Sequence, residues 1–240
     1  MTASRLLLVH GAWHGAWCWE RLIPRLRARG LDVDTIDLPS HGPATDSLGD
    51  LYADADAVRS RLDAYREPVL LVGHSYGGMV ITDTGAHEAV AGLVYLCAFL
   101  PSASQTLLDL FSAPAPDGES SSELVAHLAV SEDGNATSLV PDGAAQAFYA
   151  DCDPADQQWA LGQLDFQGAA SATQAPRQLA WQAKPTTYVV CSEDRAIPAW
   201  QQRAMALHAN HVVELRTSHS PFLAAPGSLA EILVAAARAR

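Results

Sequence analysis

A serine hydroxyl becomes a nucleophile only when a neighbouring base takes its proton and an acid holds that base in the right tautomer. The pentapeptide Gly73-His74-Ser75-Tyr76-Gly77 is suited to present such a hydroxyl. It follows the apolar, β-branched run Pro68-Val69-Leu70-Leu71-Val72 and precedes Gly78-Met79-Val80-Ile81-Thr82, which reads as the first turns of a helix. A strand turning sharply into a helix forces one residue into a strained backbone, and β-carbons at the flanking glycines would collide with neighbouring elements. Given ordinary Gly and Ser usage, G-x-S-x-G occurs by chance in roughly one chain in ten of this length. Its place between a buried strand and a helix is what gives it weight.

The partners of such a serine follow in the order acid, then histidine, each in a loop after a later strand. Two apolar runs near the C-terminus meet this requirement. Thr186–Cys191 leads into Ser192-Glu193-Asp194-Arg195, and Val212–Leu215 leads into Arg216-Thr217-Ser218-His219-Ser220. Ser75 is thus the candidate nucleophile, His219 the general base and Asp194 the acid that orients it. Glu193 is the competing acid; its longer side chain would need the loop to sit lower. A developing oxyanion needs two backbone N–H donors. The amide of Tyr76, at a helix N-terminus, is one candidate. The other is Ala12 in His10-Gly11-Ala12-Trp13, which follows the first apolar run.

These loops need a sheet to position them. Leu6–Val9, Val33–Leu38, Pro68–Val72, Ala91–Ala98, Thr186–Cys191 and Val212–Leu215 read as six strands. Helices are predicted over Trp19–Arg29, Leu51–Tyr65 with Ser47 or Asp50 as N-cap, the stretch after Ser75, Pro198–His208 and Ser228–Ala237. Strands alternating with helices predict an α/β fold, a mostly parallel sheet covered on both faces, with ligands at the carboxyl ends of the strands. The alternation breaks from about Pro101 to Ala172, a stretch rich in Ser, Ala, Asp, Pro and Gly with short helical pieces. So long a connection forms its own substructure. The expected organisation is a core of residues 1–100 and 172–240 with a helical cap, 101–171, inserted after the fourth strand. Leu107, Leu108, Leu110, Phe111, Phe148 and Trp159 either line an apolar pocket or form the cap's own small core.

Composition narrows the function classes. At 240 residues, 49% hydrophobic, the chain suits one sizeable globular domain. A net charge of −12, with Lys184 the only lysine, argues against nucleic acid, which requires a basic face. No apolar run is long enough to span a membrane, and the N-terminal one is too short for a signal peptide. Cys18, Cys97, Cys152 and Cys191 form no CxxC pair and read as core thiols, consistent with a cytoplasmic protein. His10 and His14 stand four apart, but in a loop without an acidic residue between them, so no metal is expected. Trp13, Trp17 and Trp19 read as packing residues. No dinucleotide or phosphate-loop motif is present, and no cofactor is implied.

The runs Leu8-Val9-His10-Gly11-Ala12-Trp13-His14-Gly15-Ala16-Trp17-Cys18-Trp19, Gly73-His74-Ser75-Tyr76-Gly77-Gly78 and Val190-Cys191-Ser192-Glu193-Asp194-Arg195-Ala196-Ile197-Pro198 resemble the α/β-hydrolase superfamily. Within it, the closest resemblance is to the small-cap group of plant hydroxynitrile lyases, plant methyl-ester esterases and related bacterial carboxylesterases. The resemblance implies Ser75, Asp194 and His219 as the triad and Ala12 and Tyr76 as oxyanion donors. The lyases of this group carry Thr after the first-loop His and Lys after the catalytic His. This chain has Gly11 and Ser220 there. The implied activity is hydrolysis of a small to medium, fairly apolar carboxylic ester through an acyl-enzyme. The same constellation would serve a thioesterase, a lactonase, a C–C bond hydrolase or a non-catalytic ligand-binding protein. Ser220 also departs from the esterases, which tend to have an apolar residue there.

Overall fold

A computed structural model describes residues 3–239. Among the described residues ten strands occur in chain order: β1 (Arg5–Val9), β2 (Asp32–Ile36), β3 (His41–Gly42), β4 (Val69–His74), β5 (Val90–Leu96), β6 (Leu128–Val130), β7 (Ala136–Leu139), β8 (Phe166–Gly168), β9 (Thr186–Cys191) and β10 (His211–Leu215). Six of them form one parallel sheet in the order β10-β9-β5-β4-β1-β2. These are the six predicted strands, with ends shifted by one or two residues. β4 and β9 are buried along their whole length, which is why they read as continuous apolar runs.

The chain steps from β1 outward to β2 and then returns to the other side of β1 for β4. That reversal leaves a crevice between the carboxyl ends of β1 and β4, where sheets of this kind hold ligands. Register fixes what faces it: Val9 pairs with Gly73, so the loop after β1 lies beside the turn after β4. At the far side Cys191 pairs with Leu215, so the loops carrying Asp194 and His219 also leave together.

Helix starts follow local chemistry. Leu51–Asp63 is capped by Asp50, whose carboxylate accepts the Ala53 amide at 2.9 Å; Ser47 does not serve. The predicted Trp19–Arg29 helix is instead a 3₁₀ turn, Ala16–Trp19, followed by a short helix, Ile23–Arg27. Gly30 ends it in a left-handed conformation at φ 82°.

The chain between β5 and β9 contains the helices Leu107–Phe111, Pro141–Tyr149 and Pro154–Leu161. It also contains an antiparallel sheet that sequence reading did not anticipate. β6, β7 and β8 pair in order, and β8 pairs with β3, from the first half of the chain. Leu128 opens β6, and the preceding Leu124–His127 is a 3₁₀ turn.

Close packing at the end of β4 depends on the absence of side chains. A β-carbon at Gly73 would come within 2.6 Å of the Gly77 carbonyl oxygen, and one at Gly77 within 2.7 Å of those of Val9 and His10. One at Gly78 would strike the Phe99 carbonyl oxygen. Gly78→Ala is therefore expected to destabilise the protein by about 1–3 kcal/mol, read as a lower denaturation midpoint. Gly227→Ala, at a helical position where a β-carbon meets nothing within 4 Å, should cause no loss.

Candidate active site

Ser75 stands between β4 and the helix Gly77–Thr84 at φ 52°, a left-handed conformation that a non-glycine residue adopts only when its surroundings compel it. Its carbonyl accepts the amides of Gly78 at 3.0 Å and Phe99 at 3.1 Å, and its own amide reaches Leu96 O at 3.3 Å. Those bonds hold the turn. The residue is 7% exposed, and its hydroxyl makes no hydrogen bond among the described residues.

Asp194 and His219 meet across the ends of β9 and β10. His219 Nδ1 lies 2.7 Å from Asp194 Oδ2, and both side chains are fully buried. Asp194 is otherwise saturated. Oδ1 accepts the amides of Ala196 at 2.7 Å and Ile197 at 2.9 Å, and Oδ2 also accepts Gln202 Nε2 at 2.8 Å. With Nδ1–H given to the carboxylate, the other ring nitrogen carries the lone pair. That Nε2 is buried and unpartnered. Glu193, the competing acid, points elsewhere: it pairs with Arg216 at 2.6 Å and is 44% exposed.

The imidazole is held from several sides. His74 Nε2–H donates to the His219 carbonyl at 2.9 Å, and the two rings stand 4.6 Å apart. Phe148 stacks on the His219 ring at 5.3 Å, and Asp151 accepts the Ser218 amide at 2.8 Å. Both lie in the stretch between β5 and β9. Ser220 is buried beside His219. Lys184 donates to the Val90 carbonyl at 2.7 Å, at the amino end of β5, the opposite edge of the sheet.

The loop after β1 runs against Ser75: a β-carbon at Gly11 would lie 2.8 Å from Ser75 Cβ. The amides of Ala12 and Tyr76 donate to no acceptor among the described residues. His10 braces this loop. Its Nδ1–H donates to Gly11 O at 2.9 Å while Nε2 accepts the Leu38 amide at 3.1 Å. That pattern requires a neutral ring, and burial pushes the His10 imidazole down to about 4. Gly11 O belongs to the peptide unit that carries the Ala12 N–H, so the bond also sets the direction of that amide.

Behind Tyr76 lies a carboxylate that sequence reading did not single out. Asp54 is buried and accepts the Tyr76 hydroxyl at 2.7 Å, the Ser40 amide at 2.7 Å and the Ser40 hydroxyl at 2.6 Å. Desolvation outweighs these bonds and raises its pKa to about 6.

An apolar cavity of about 370 Å³ opens next to the loop after β1. Trp13, Leu107, Leu108, Phe111, Val125 and Leu128 are the large apolar side chains of its wall. The six apolar residues singled out from sequence thus divide. Leu107, Leu108 and Phe111 line the cavity, Leu110 is buried, Phe148 covers His219, and Trp159 packs edge-on against Trp17 at 5.4 Å. All four cysteines are free, and no helix among the described residues is long and apolar enough to cross a membrane.

With this geometry established, comparison with known proteins places the chain. The model of the alpha/beta hydrolase family matches residues 6–232. The chain belongs to that family. Among curated relatives, Methylesterase 1 of Arabidopsis thaliana is 29% identical over 247 residues, covering 95% of this chain and 94% of the relative. Alpha/beta hydrolase nvfD of Aspergillus novofumigatus is 25% identical over 242 residues, covering 94% and 93%. Among solved structures, a pyrethroid hydrolase from Sphingobium faniae JZ-2 superposes with a TM-score of 0.84 at 25% identity, covering 98% of both chains. The expected fold and the resemblance to plant methyl-ester esterases are borne out.

Gln202, His10, His74 and Asp54 were missed from sequence. Only the density of histidines around Gly11 and Ser75 could have signalled some of them.

The raised pKa of Asp54 has a consequence for stability. A carboxyl whose folded pKa exceeds its unfolded value stabilises fully below about 4, and that contribution is lost as pH rises through about 6. Thermal melts of wild type and Asp54→Asn from pH 4.5 to 7.5 should therefore drift in the variant's favour as pH rises, by about 2 kcal/mol. A constant gap would show that the carboxyl does not titrate in this range.

Proposed function

We propose that this protein is a serine esterase that cleaves a small to medium, fairly apolar carboxylic ester through an acyl-enzyme. Ser75 is the nucleophile, His219 the general base and then acid, Asp194 the orienting carboxylate, and the amides of Ala12 and Tyr76 are the oxyanion donors. The carrying observation is the buried His219–Asp194 pair, which leaves a lone pair on Nε2 at the sheet edge where Ser75 is held in a strained turn. Relatives named as methylesterases and a solved structure described as a pyrethroid hydrolase support ester chemistry.

The reaction follows from those roles. His219 Nε2 takes the Ser75 proton as Oγ bonds to the ester carbonyl carbon. The carbonyl oxygen becomes an oxyanion between the two amides. As the C–O bond breaks, the imidazolium returns the proton to the leaving alkoxide, giving the alcohol and the acyl-enzyme. Water deprotonated by the same nitrogen then attacks, and Ser75 leaves as the hydroxyl with the acid as second product. The Ser75 hydroxyl must rotate towards His219 for the first step; such contacts often tighten only once substrate is bound.

We read residues 101–171 as a cap on a core of 1–100 and 172–240. Its apolar cavity suits an aryl or alkyl group. Gly11 and Ser220 stand where the lyases this chain resembles carry Thr and Lys, and Lys184 is remote, which speaks against lyase chemistry. Four free cysteines suit a cytoplasmic enzyme.

With a p-nitrophenyl ester, Ser75→Ala should lower kcat by about 10⁶ and Asp194→Asn by about 10⁴. An aryl phosphonate should add one mass increment at Ser75 and none to the Ala variant. Undiminished turnover by Ser75→Ala would refute the assignment. A parallel panel of thioesters and lactones tests whether an oxygen ester is the preferred substrate.

A further inference from the structure

Two buried side chains near the site have no part in the mechanism above. The Tyr149 hydroxyl donates to His14 Nε2 at 2.8 Å, and His14 Nδ1–H donates to the Ala12 carbonyl at 2.7 Å. The Ala12 carbonyl can only accept, so it places the proton on His14 Nδ1, and the phenol, able to donate or accept, donates to the lone pair left on Nε2. Burial pushes the His14 ring down to about 3 and raises the phenol well above its ordinary value, so neither group changes charge near neutral pH.

The carbonyl they hold is placed where it needs holding. It belongs to the peptide bond leading into Trp13, whose φ is 60°, a costly conformation for a bulky residue. The other end of Ala12 is the amide assigned to the oxyanion, and His10 fixes that peptide unit through Gly11 O. Both peptide units flanking the Ala12 α-carbon are thus tied by histidines. One of those ties is anchored in the chain between β5 and β9.

We propose that His14 and Tyr149 are positioning residues for the oxyanion hole: the phenol anchors the His14 ring through Nε2, and the imidazole holds Ala12 so that its amide faces the reacting carbonyl. The inference rests on reading Ala12 as an oxyanion donor. It also gives the helix Pro141–Tyr149 a function beyond shaping a pocket. Within four residues, Phe148 stacks on His219, Tyr149 bonds to His14, and Asp151 accepts the Ser218 amide. One turn therefore braces both the base and the donor.

Tyr149→Phe tests this while keeping the aromatic packing. Outright loss of an oxyanion donor costs about 10²–10³ in kcat, so a loosened donor should cost about tenfold. The loss should fall on kcat, with KM within about twofold. Affinity for a trifluoromethyl ketone, whose serine adduct carries the oxyanion, should fall by the same factor, while affinity for the product carboxylate stays unchanged. Wild-type kcat, or equal losses for the two inhibitors, overturns the proposal. Should Tyr149→Phe fail to fold, His14→Asn and His14→Gln decide. The Asn amide sits where Nδ1 does and should keep several times the rate of Gln; equal rates overturn the proposal. Ser75→Ala, run alongside, separates the two readings. An active Ser75→Ala removes the hydrolase assignment itself, whereas an inactive one beside a normal Tyr149→Phe defeats only the positioning roles.

Discussion

Backbone must pass against bare backbone at the carboxyl end of β4, and the rest of the site is arranged around that contact. Gly73, Gly77 and Gly78 let the helix after Ser75 press onto the ends of β1 and β5, leaving no room for a β-carbon at any of the three. The turn then has one way to go, and Ser75 occupies the left-handed region at φ 52°. Strain at one residue is tolerable because hydrogen bonds to Gly78, Phe99 and Leu96 fix it on three sides. The same closeness brings the Tyr76 amide, at a helix N-terminus, next to the loop after β1.

A site made this way is dry, and dryness imposes its own conditions. Asp194 is a buried carboxylate, tolerable because four donors reach it: His219, Gln202 and two amides of the following turn. Burial drives His10, His14, His41 and His74 toward the neutral form. Neutral imidazoles offer one donor and one acceptor each, which suits them to bracing carbonyls and amides without adding charge beside a reacting ester. Asp54 shows the opposite case. Three donors do not fully repay its desolvation, and its pKa rises to about 6.

Much of this was legible in the sequence because it is local or ordered along the chain. β4 and β9, covered on both faces, appear as unbroken apolar runs. The glycines around Ser75 announce a close approach, and the acid and histidine follow in the loops after the last two strands. Side-chain length favours Asp194 over Glu193 as the partner of His219, and in the structure Asp194 meets His219 while Glu193 pairs with Arg216. What stayed hidden is non-local or too short to carry a period. β6 and β7 have three and four residues, in a stretch rich in Ser, Asp and Gly. β3 is a two-residue strand recruited from the first half of the chain by β8. Gln202 lies on a helix beyond Asp194 with nothing local to mark it. The anchor of the His14 ring is the Tyr149 hydroxyl, 135 residues away.

The chain between β5 and β9 thus carries two loads of different kinds. Leu107, Leu108, Phe111, Val125 and Leu128 shape the apolar cavity from the helix Leu107–Phe111, the 3₁₀ turn Leu124–His127 and β6. The stretch 148–151 instead bonds or stacks with the loops after β1 and β10. Cavity-lining side chains act through shape and transfer free energy, so, on the function proposed above, exchanging them alters which ester fits while leaving the donors in place. Side chains that anchor a ring or hold an amide act through direction, where small displacements are expensive. Substrate range can therefore drift along the first set without loss of chemistry only if the second set is held constant.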